Sequence, residues 1–410
     1  MSATRGTPSA SERLDWLTGV LWPASSGART TFERPRGEEV SESYLVIPGR
    51  SRARFLVPAA PRPAAAASVR AYNRLRSPRT RLLRSVLGIG LDVGLAQPML
   101  RDRLSVVSEG EDPTLLEHLR LTAFDDRPIV AGIGIGSPGP FRKPVLQVFS
   151  REGRPLGFVK VGWNEVTRAL VRTEADLLAR CGTQAHPTFA TPRLLHTGRW
   201  RDLELSVASP LPLGVDRWRP WRRPPPLASI RDVAALADGG VASLPLARSP
   251  YWRRVGGRLE VINGGDTELL DAVRTRAEAI EAANGDTQVA FGAWHGDWSP
   301  WNFARSGGEL VVWDWEHGDL AVPFGFDIVH FFFQLAFIAD GRPLGEALDA
   351  ARASAAPMLR ELDVERPGLV ATLHTLEVAL RYAGASSVGA GVNPRFASAA
   401  PAILRRAVFE

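Results

Sequence analysis

The spacing of hydrophobic residues divides the chain into a β-rich part and a mostly helical part. Beyond Pro128, hydrophobic segments at 129–135, 145–149 and 156–161 are separated by short turns of Gly, Pro or charged residues. This pattern is typical of an antiparallel meander of three strands. A segment with helical spacing follows at 167–180, and the residues at 193–196 and 203–207 predict two more strands.

Helical spacing dominates after residue 214. It occurs at 229–238, 266–283, 325–339, 344–362 and 369–382, and several of these segments have start or stop signals, such as Asn284-Gly285. The pattern predicts an α+β protein with two lobes. We expect a β-rich lobe at 127–212 and a helical lobe at 213–410.

The first 126 residues precede this two-lobed pattern. Residues 1–40 are rich in Ser, Thr, Arg, Pro and Gly with little periodicity, so we expect a flexible tail there. Residues 41–126 contain a predicted hairpin at 44–57 and basic helices within 64–89. We interpret this segment as an N-terminal extension, a module added to the two lobes, whose role the sequence does not indicate.

Length and composition are those of a folded protein of two or three domains at ~150 residues each. The chain has 410 residues, of which 45% are hydrophobic and 23% charged. A single cysteine, Cys181, excludes a disulfide framework and favours a reducing compartment. The apolar stretch at 320–339 contains Pro323 and Asp327, so it predicts a buried helix and no membrane insertion. We therefore expect a cytoplasmic protein.

The basic charge balance does not by itself indicate a nucleic-acid partner. Fifty Lys and Arg residues against 44 Asp and Glu residues give a net charge of +6. The arginines look scattered apart from the run at 217–223, and no nucleic-acid-binding motif accompanies them. Only Lys143 and Lys160 are lysines. Because this chain uses arginine for almost every cation, each lysine marks a position that favours an ammonium group.

The strongest candidate for chemistry lies at 295–316. Asp297 stands five residues before Asn302, and Asp314 ends a hydrophobic strand twelve residues later, followed by Glu316. Phosphoryl transfer needs a carboxylate that orients the acceptor hydroxyl, and it needs oxygen ligands that hold Mg²⁺ on the phosphates. Carboxylates and an amide at this spacing fit those requirements.

The run His295-Gly296-Asp297 with Asn302, Asp314 and Glu316 resembles the motifs of the aminoglycoside phosphotransferase/choline kinase-like family. The resemblance covers roughly residues 127–340. It implies a bilobal protein-kinase-like fold with a small antiparallel β-sheet lobe and a larger helical lobe. It also implies ATP, or another NTP, and Mg²⁺ as cofactors. The implied roles are Asp297 as the catalytic residue, Asn302, Asp314 and Glu316 as metal ligands, and His295 and Asp327 as structural support of the site.

The resemblance also implies nucleotide contacts in the β-rich lobe. Lys160 ends the third strand of the meander, where the fold places the lysine that contacts the phosphates. Glu174 on the following helix matches the acid that pairs with this lysine, and Asp176 is the alternative. The other predicted contacts are Ser137, Gly139 and Lys143 in a Gly/Pro turn, and the backbone of Val207 and Ser209 for the adenine. Pro138 and Pro140 lack N–H donors, which argues against a tight phosphate cradle in that turn.

Two features favour a small-molecule hydroxyl as the acceptor. Gly296 stands where protein kinases that depend on phosphorylation of an activation loop carry an arginine. Asp327 follows Asp314 by only thirteen residues, too few for a long peptide-binding segment. No dense acidic cluster follows Asp327, so a neutral or sugar-like metabolite is favoured over a polycationic antibiotic.

The alternative hypothesis for the whole chain is a pseudokinase, which binds nucleotide but does not transfer its phosphoryl group. The tryptophans near these residues either pack around the loop, which is favoured, or stack on the acceptor; they are Trp298, Trp301, Trp313 and Trp315.

Overall fold

The computed structural model describes residues 9–406 except 34, 36, 72–77, 109–111, 137, 184–187, 213–214 and 218–220. It has the predicted α+β composition. The strands are β1 (Ala28–Thr31), β2 (Val40–Ile47), β3 (Phe55–Pro58), β4 (Arg103–Ser108), β5 (Ile129–Gly134), β6 (Val145–Ser150), β7 (Pro155–Gly162), β8 (Phe189–Ala190), β9 (Leu194–Trp200), β10 (Leu203–Ala208), β11 (Asp216–Arg217), β12 (Ala242–Pro245), β13 (Gln288–Trp294), β14 (Phe303–Ser306), β15 (Glu309–Val312) and β16 (Asp319–Pro323). The helices are α1 (Ala10–Leu21), α2 (Arg62–Ala71), α3 (Pro78–Asp92), α4 (Leu115–Ala123), α5 (Glu165–Thr183), α6 (Leu227–Ala234), α7 (Pro250–Val261), α8 (Thr267–Asn284), α9 (Phe326–Gln334), α10 (Leu344–Glu361), α11 (Pro367–Ser387) and α12 (Pro394–Arg406).

The chain forms two compact units. The first contains Met1–Ala175 and Pro192–Leu211, and the second contains Asp176–Thr191 and Pro212–Glu410. The first unit holds a nine-stranded sheet, whereas most helices belong to the second. A β-rich part followed by a helical part is what the hydrophobic spacing predicts.

The sheet of the first unit has the strand order β1-β4-β2-β3-β5-β6-β7-β10-β9. Every neighbouring pair is antiparallel, including the predicted meander β5-β6-β7. The predicted N-terminal hairpin is also confirmed, since Leu45 of β2 lies opposite Val57 of β3. Short turns return the chain antiparallel to itself between β6 and β7 and between β9 and β10, whereas the pairs β1-β4, β4-β2 and β3-β5 join strands that are far apart in the sequence.

The N-terminal strands and the meander belong to one sheet. β3 pairs with β5 through Phe55 and Gly134, so the hairpin of residues 41–126 extends the sheet of the predicted lobe. The interpretation of 41–126 as an added module therefore differs from the structure. The reason is that successive residues of β2, such as Leu45 and Val46, are both buried, one on each face. A strand that is hydrophobic on both faces is stable only inside a covered sheet.

Two hydrophobic clusters cover the two faces of this sheet. One joins Val46 and Leu56 to Leu14 of α1 and Leu119 of α4. The other joins residues on the opposite face to helices α2 and α3; it includes Leu45, Ile47, Val57, Ala65, Val69 and Leu91. Alternate residues of β2 and β3 thus enter different clusters, as the two-residue period of a strand requires.

The prediction of a flexible tail at 1–40 is wrong for part of this segment. Helix α1 begins with a capping box in which the Ser9 hydroxyl accepts from the Glu12 N–H and the Glu12 carboxylate accepts from the Ser9 N–H. Its apolar residues Leu14, Leu17 and Leu21 share one face and are buried. The average composition of residues 1–40 does not indicate this helix, because its 12 amphipathic residues are a small part of a segment that is polar overall.

The second unit contains two small sheets and most of the helices. The sheets have the orders β11-β14-β15-β8 and β12-β13-β16. The five predicted helices are present as α6, α8, α9, α10 and α11, and α9 continues into a π-helical segment at Leu335–Ala339. The sequence pattern does not predict helices α7 and α12, because α7 contains Gly256-Gly257 and α12 contains Pro401, residues of low helix propensity. Burial of Trp252 in α7 and of Phe396 in α12 stabilises these helices and offsets that low propensity. Within the described ranges, no helix is both long enough and apolar enough to cross a bilayer.

Candidate active site

Strand β13 leads directly into the 295–302 loop, and the first turn of α9 anchors this loop. The Asp327 carboxylate accepts hydrogen bonds from the backbone N–H of His295 at 2.9 Å and of Gly296 at 3.3 Å. Asp327 is almost fully buried, and burial raises its pKa to about 7 although the two N–H donors oppose the rise. Asp327 thereby fixes the backbone at the point where the loop leaves the strand.

The His295 ring connects the two loops of the site. Its Nδ1 accepts from the Asp297 N–H at 3.2 Å, and its Nε2 lies 3.0 Å from the Trp313 carbonyl oxygen. Both contacts are satisfied by the neutral tautomer that carries its proton on Nε2. Burial lowers the pKa of His295 to about 4, so the ring is neutral near pH 7. A neutral, doubly hydrogen-bonded imidazole is suited to hold the loop and not to exchange protons with a substrate.

The Asp297 carboxylate is surrounded by three side-chain partners. Oδ1 accepts from the Ser299 hydroxyl and lies 3.3 Å from His330 Nε2, whereas Oδ2 accepts from Asn302 Nδ2 at 2.8 Å. Burial opposes ionisation, but the hydrogen bonds from His330 and Ser299 outweigh it and hold the pKa of Asp297 below its usual range. About a quarter of the side chain remains exposed, with a relative accessibility of 25%. Asp297 is therefore a fixed, ionised carboxylate that a ligand can reach.

The β14–β15 hairpin brings Asn302 close to the residues just before Asp314. Phe303 pairs with Val312, and the Trp313 N–H donates to the Asn302 carbonyl oxygen at 3.1 Å. Asp314 follows immediately and has a left-handed backbone with φ of 71°. Asn302 donates to Asp297 through Nδ2, so Oδ1 is the atom of this amide that could hold a cation. An amide oxygen and the carboxylates of Asp314 and Glu316 form a donor set that suits Mg²⁺.

A glycine and an arginine hold the 295–302 loop against residues 313–318. Gly296 has φ of 85°, and a Cβ atom there would lie 1.9 Å from the His317 carbonyl oxygen. Arg381 of α11 donates to the carbonyl oxygens of Gly296 at 2.8 Å and of His317 at 3.1 Å. Its Nε also lies 3.0 Å from Glu377, a buried carboxylate whose pKa the neighbouring arginines hold low against the effect of burial. The two loops are thus joined by one guanidinium group.

A pair of histidines lies behind Asp297. His330 Nδ1 is 3.1 Å from His374 Nε2, while His330 Nε2 contacts Asp297. Both rings are buried, and burial lowers the pKa of His374 well below its usual value. A neutral His374 can donate from Nε2 to His330, whose own Nε2 lies between Asp297 Oδ1 at 3.3 Å and the Gln334 side-chain amide at 3.0 Å. The arrangement orients a donor toward the carboxylate.

In the first unit, Lys160 and Glu174 form an ion pair of 2.6 Å. Lys160 lies on β7, which is held between β6 and β10, and Glu174 lies on α5. Of the two acids that the sequence leaves open, Glu174 is the one in contact with Lys160. The carboxylate is buried, with 7% of its side chain exposed, whereas 19% of the lysine side chain is exposed. The pair therefore fixes an ammonium group at the surface of the sheet.

The turn after β5 is held against the end of β7. The Asn164 amide donates to the Pro140 carbonyl oxygen at 2.9 Å, and Trp163 Nε1 donates to the Arg142 carbonyl oxygen at 2.8 Å. Gly139 accepts from the Arg142 N–H within the same turn, next to Lys143. Ser137, the first predicted contact in this turn, lies outside the described residues.

The segment predicted to receive adenine is the end of β10. Val207 is buried in the sheet and lies opposite Val159. The Ser209 N–H donates to the Arg193 carbonyl oxygen at 2.8 Å, and the Ser209 hydroxyl accepts from the Arg193 N–H at 2.9 Å. The Ser209 N–H is therefore already paired within the first unit, and its predicted contact with adenine stays a prediction.

The tryptophans around the loops differ in burial. Trp298 and Trp315 are fully buried; Trp315 packs on His295 with ring centroids 4.6 Å apart, and Trp298 packs on Phe303. These contacts agree with the packing interpretation. Trp301 is different, because 45% of it is exposed beside Asn302.

Sequence reasoning missed Ser299, His330, His374 and Arg381. Ser299 lies within the recognised motif, and His330 follows Asp327 by three residues, which places both on one helix face. That spacing was a usable signal. His374 and Arg381 lie on α11, far along the chain, and no local pattern connects them with the loop.

Comparison with known proteins gives matches only among solved structures. No family model matches the sequence, and no curated protein matches it. The chain is similar to an amicoumacin kinase in complex with AMP-PNP, Ca²⁺ and Ami at 13% identity and a TM-score of 0.40, over 65% of this chain and 84% of that one. It is similar to an aminoglycoside phosphotransferase with streptomycin and ATP at 10% identity and a TM-score of 0.43, over 72% and 95%. A choline/ethanolamine kinase family protein from Mesorhizobium loti matches at 16% identity and a TM-score of 0.38, over 68% and 87%.

Proposed function

We propose that this protein is a kinase that transfers the γ-phosphoryl group of ATP to a hydroxyl group of a small molecule. The observation that carries the proposal is the environment of Asp297. A partly exposed, ionised carboxylate is held by Ser299, Asn302 and His330, and the same Asn302 stands at the end of the hairpin that leads to Asp314. This arrangement combines a group for the acceptor with groups for a metal ion.

Asp297 would receive the acceptor hydroxyl. Among the described residues, Oδ2 accepts one hydrogen bond, from the Asn302 side-chain amide. This oxygen can therefore accept a second hydrogen bond from a substrate O–H. The carboxylate orients the hydroxyl oxygen toward the γ-phosphorus and takes up the proton as the new P–O bond forms and the bond to the ADP oxygen breaks. Its low pKa favours orientation and late proton uptake over early deprotonation.

The metal and the nucleotide would be held by different parts of the chain. Asn302 and Asp314, with Glu316 nearby, are the proposed Mg²⁺ ligands, and Mg²⁺ would neutralise charge that develops on the transferred phosphoryl group. Lys160, held by Glu174, would supply an ammonium group for the α- and β-phosphates. Gly139, Lys143 and the backbone at Val207 and Ser209 remain further proposed contacts. His295, Asp327 and Arg381 keep the two loops in place.

The acceptor would be a small alcohol, either a sugar-like metabolite or an antibiotic. The short distance along the chain from Asp314 to Asp327 supports a small molecule, because the intervening residues form strand β16 and its two turns. We expect the protein to act where ATP and Mg²⁺ are abundant, as they are in the cytoplasm.

ADP release with a panel of metabolites and antibiotics, followed by mass spectrometry of the products, tests this proposal. The kinase predicts ADP release stimulated by one class of alcohol and a product heavier by one phosphoryl group. The Asp297→Asn variant should lose this activity, whereas Asp271→Asn, a change at an exposed site, should keep it. If the protein binds ATP but neither hydrolyses it nor releases ADP in the presence of any acceptor, the pseudokinase alternative is favoured instead.

A further inference from the structure

The outer face of helix α3 is apolar. Leu82, Val86 and Ile89 of α3 and Val93 directly after it follow one another at intervals of four, three and four residues, which places them in one stripe. Their exposed fractions are 67%, 60%, 56% and 56%. In a surface helix of a water-exposed protein, this face normally carries polar residues.

With respect to the described residues of the first unit, each residue of the stripe remains more than half exposed. The opposite face of α3 already packs through Leu87 and Leu91 onto the cluster that contains Val69 of α2. The apolar surface also continues past the helix end, where Leu95 and Met99 are 76% and 82% exposed. A contiguous exposed apolar surface of this kind marks an interaction site.

Positive charge is concentrated in the sequence segment that contains α3 up to its last residue, Asp92, whose carboxylate lies 3.6 Å from Arg70. Between Glu42 and Asp92 the sequence has ten arginines and not one acidic residue. Ten of the 50 basic residues thus fall in this segment, and the other 40 are matched by 44 acidic residues in the rest of the chain. Arginines occur along the whole chain. The absence of acids, however, makes residues 43–91 the source of the net positive charge.

We propose that α3 and residues 93–99 bind the surface of an anionic lipid bilayer. The apolar stripe would enter the boundary between headgroups and acyl chains, and the neighbouring arginines, such as exposed Arg79, would contact lipid phosphates. The helix has 15 residues, a length of roughly 22 Å at 1.5 Å per residue, so it lies along the surface and does not span the membrane.

Charge and hydrophobicity together select this partner. A nucleic acid would satisfy the arginines but would leave the apolar stripe in contact with water. A second copy of the chain would cover the stripe but would bring two cationic segments together, which is repulsive. Of these three partners, the membrane surface, which is anionic at its headgroups and apolar beneath them, complements both properties.

Vesicle flotation of the full chain tests the proposal. We expect the protein to float with phosphatidylcholine vesicles that contain phosphatidylglycerol, and to float poorly with pure phosphatidylcholine or at high salt. The double variant Val86→Asp/Ile89→Asp should reduce binding to anionic vesicles by about tenfold or more. Leu121→Asp, on α4 of the same unit and also exposed, is the matched control and should bind as the unchanged chain does. The double variant Arg79→Gln/Arg81→Gln should bind anionic vesicles more weakly, and the binding that remains should depend less on salt concentration.

Thermal unfolding and sedimentation of each variant complete the test. Equal melting temperatures for the double variant and the control would show that lost binding is not lost folding. The proposal is overturned if the unchanged chain ignores anionic vesicles, or if Val86→Asp/Ile89→Asp binds them normally. It is also overturned if the stripe instead mediates a dimer that the double variant dissociates, or if the segment binds duplex DNA and not vesicles.

Discussion

His330 Nε2 lies 3.3 Å from Asp297 Oδ1, although the two residues are 33 positions apart in the chain. His330 is three residues after Asp327, whose carboxylate accepts hydrogen bonds from the backbone N–H groups of His295 and Gly296. One turn of α9 therefore fixes both the backbone of the 295–302 loop and its carboxylate. A rigid helix that supports a loop in this way limits the positions that the carboxylate can adopt.

Replacing His330 with Ala should shift the pH dependence of the reaction. The hydrogen bond from His330 lowers the pKa of Asp297, so its loss should raise that pKa and move the acidic limb of kcat/KM to higher pH. We also expect kcat to fall by about tenfold or more, with little change in KM for ATP. A pH profile of initial rates measures both effects.

His330→Gln is the control for this experiment. Its side-chain amide can donate to Asp297 from nearly the same place, so the acidic limb of the proposed kinase activity should return toward that of the unchanged protein. Identical pH profiles for His330→Ala and the unchanged protein would contradict a positioning role for His330.

Asp297→Asn should reduce kcat by about a thousandfold, because the amide cannot accept the hydroxyl proton. The affinity for nucleotide should stay within about twofold, since Asp297 is proposed to contact the acceptor. Rapid-quench rates and calorimetric titration with a non-hydrolysable ATP analogue separate these two quantities. A variant that retains substantial turnover would remove Asp297 from the catalytic role.

Lys160→Met should weaken ATP binding and lower stability. The change would remove Lys160 from a buried ion pair in which 7% of the Glu174 side chain is exposed, and removing one member of such a pair costs about 3 kcal/mol. Urea unfolding measures the loss of stability, and KM for ATP measures the loss of binding. The double variant Lys160→Met/Glu174→Gln should recover most of the stability but not the ATP affinity. Recovery of both would assign the pair a purely structural role.

Gly296→Ala should destabilise the protein far more than Gly308→Ala does. Both glycines have similar left-handed backbones, with φ of 85° and 91°, so both changes include a strain of about 1–2 kcal/mol. Only at position 296 would the new Cβ meet a backbone atom, the His317 carbonyl oxygen. Equal melting temperatures for the two variants would show that the two loops separate easily.

Asp314→Asn should raise the Mg²⁺ concentration needed for half-maximal activity by about tenfold or more, because the proposed metal ligand would change from a charged oxygen to a neutral one. Glu309→Gln, an exposed change on the same hairpin, should leave the Mg²⁺ dependence unaltered. Titration of activity with Mg²⁺ at fixed ATP distinguishes the variants. An unchanged requirement in Asp314→Asn would remove this residue from the metal site.

The sequence by itself determined the meander, five of the helices in the second unit, and the grouping of Asp297, Asn302 and Asp314. These features depend on neighbours along the chain: alternating residues define strands, and one short hairpin separates Asn302 from Asp314. Only the tertiary structure joined the N-terminal strands to the meander and placed His330, His374 and Arg381 around the loops. Strand pairing across distant segments and contacts between helices depend on how buried surfaces meet in space, which spacing along the chain does not encode.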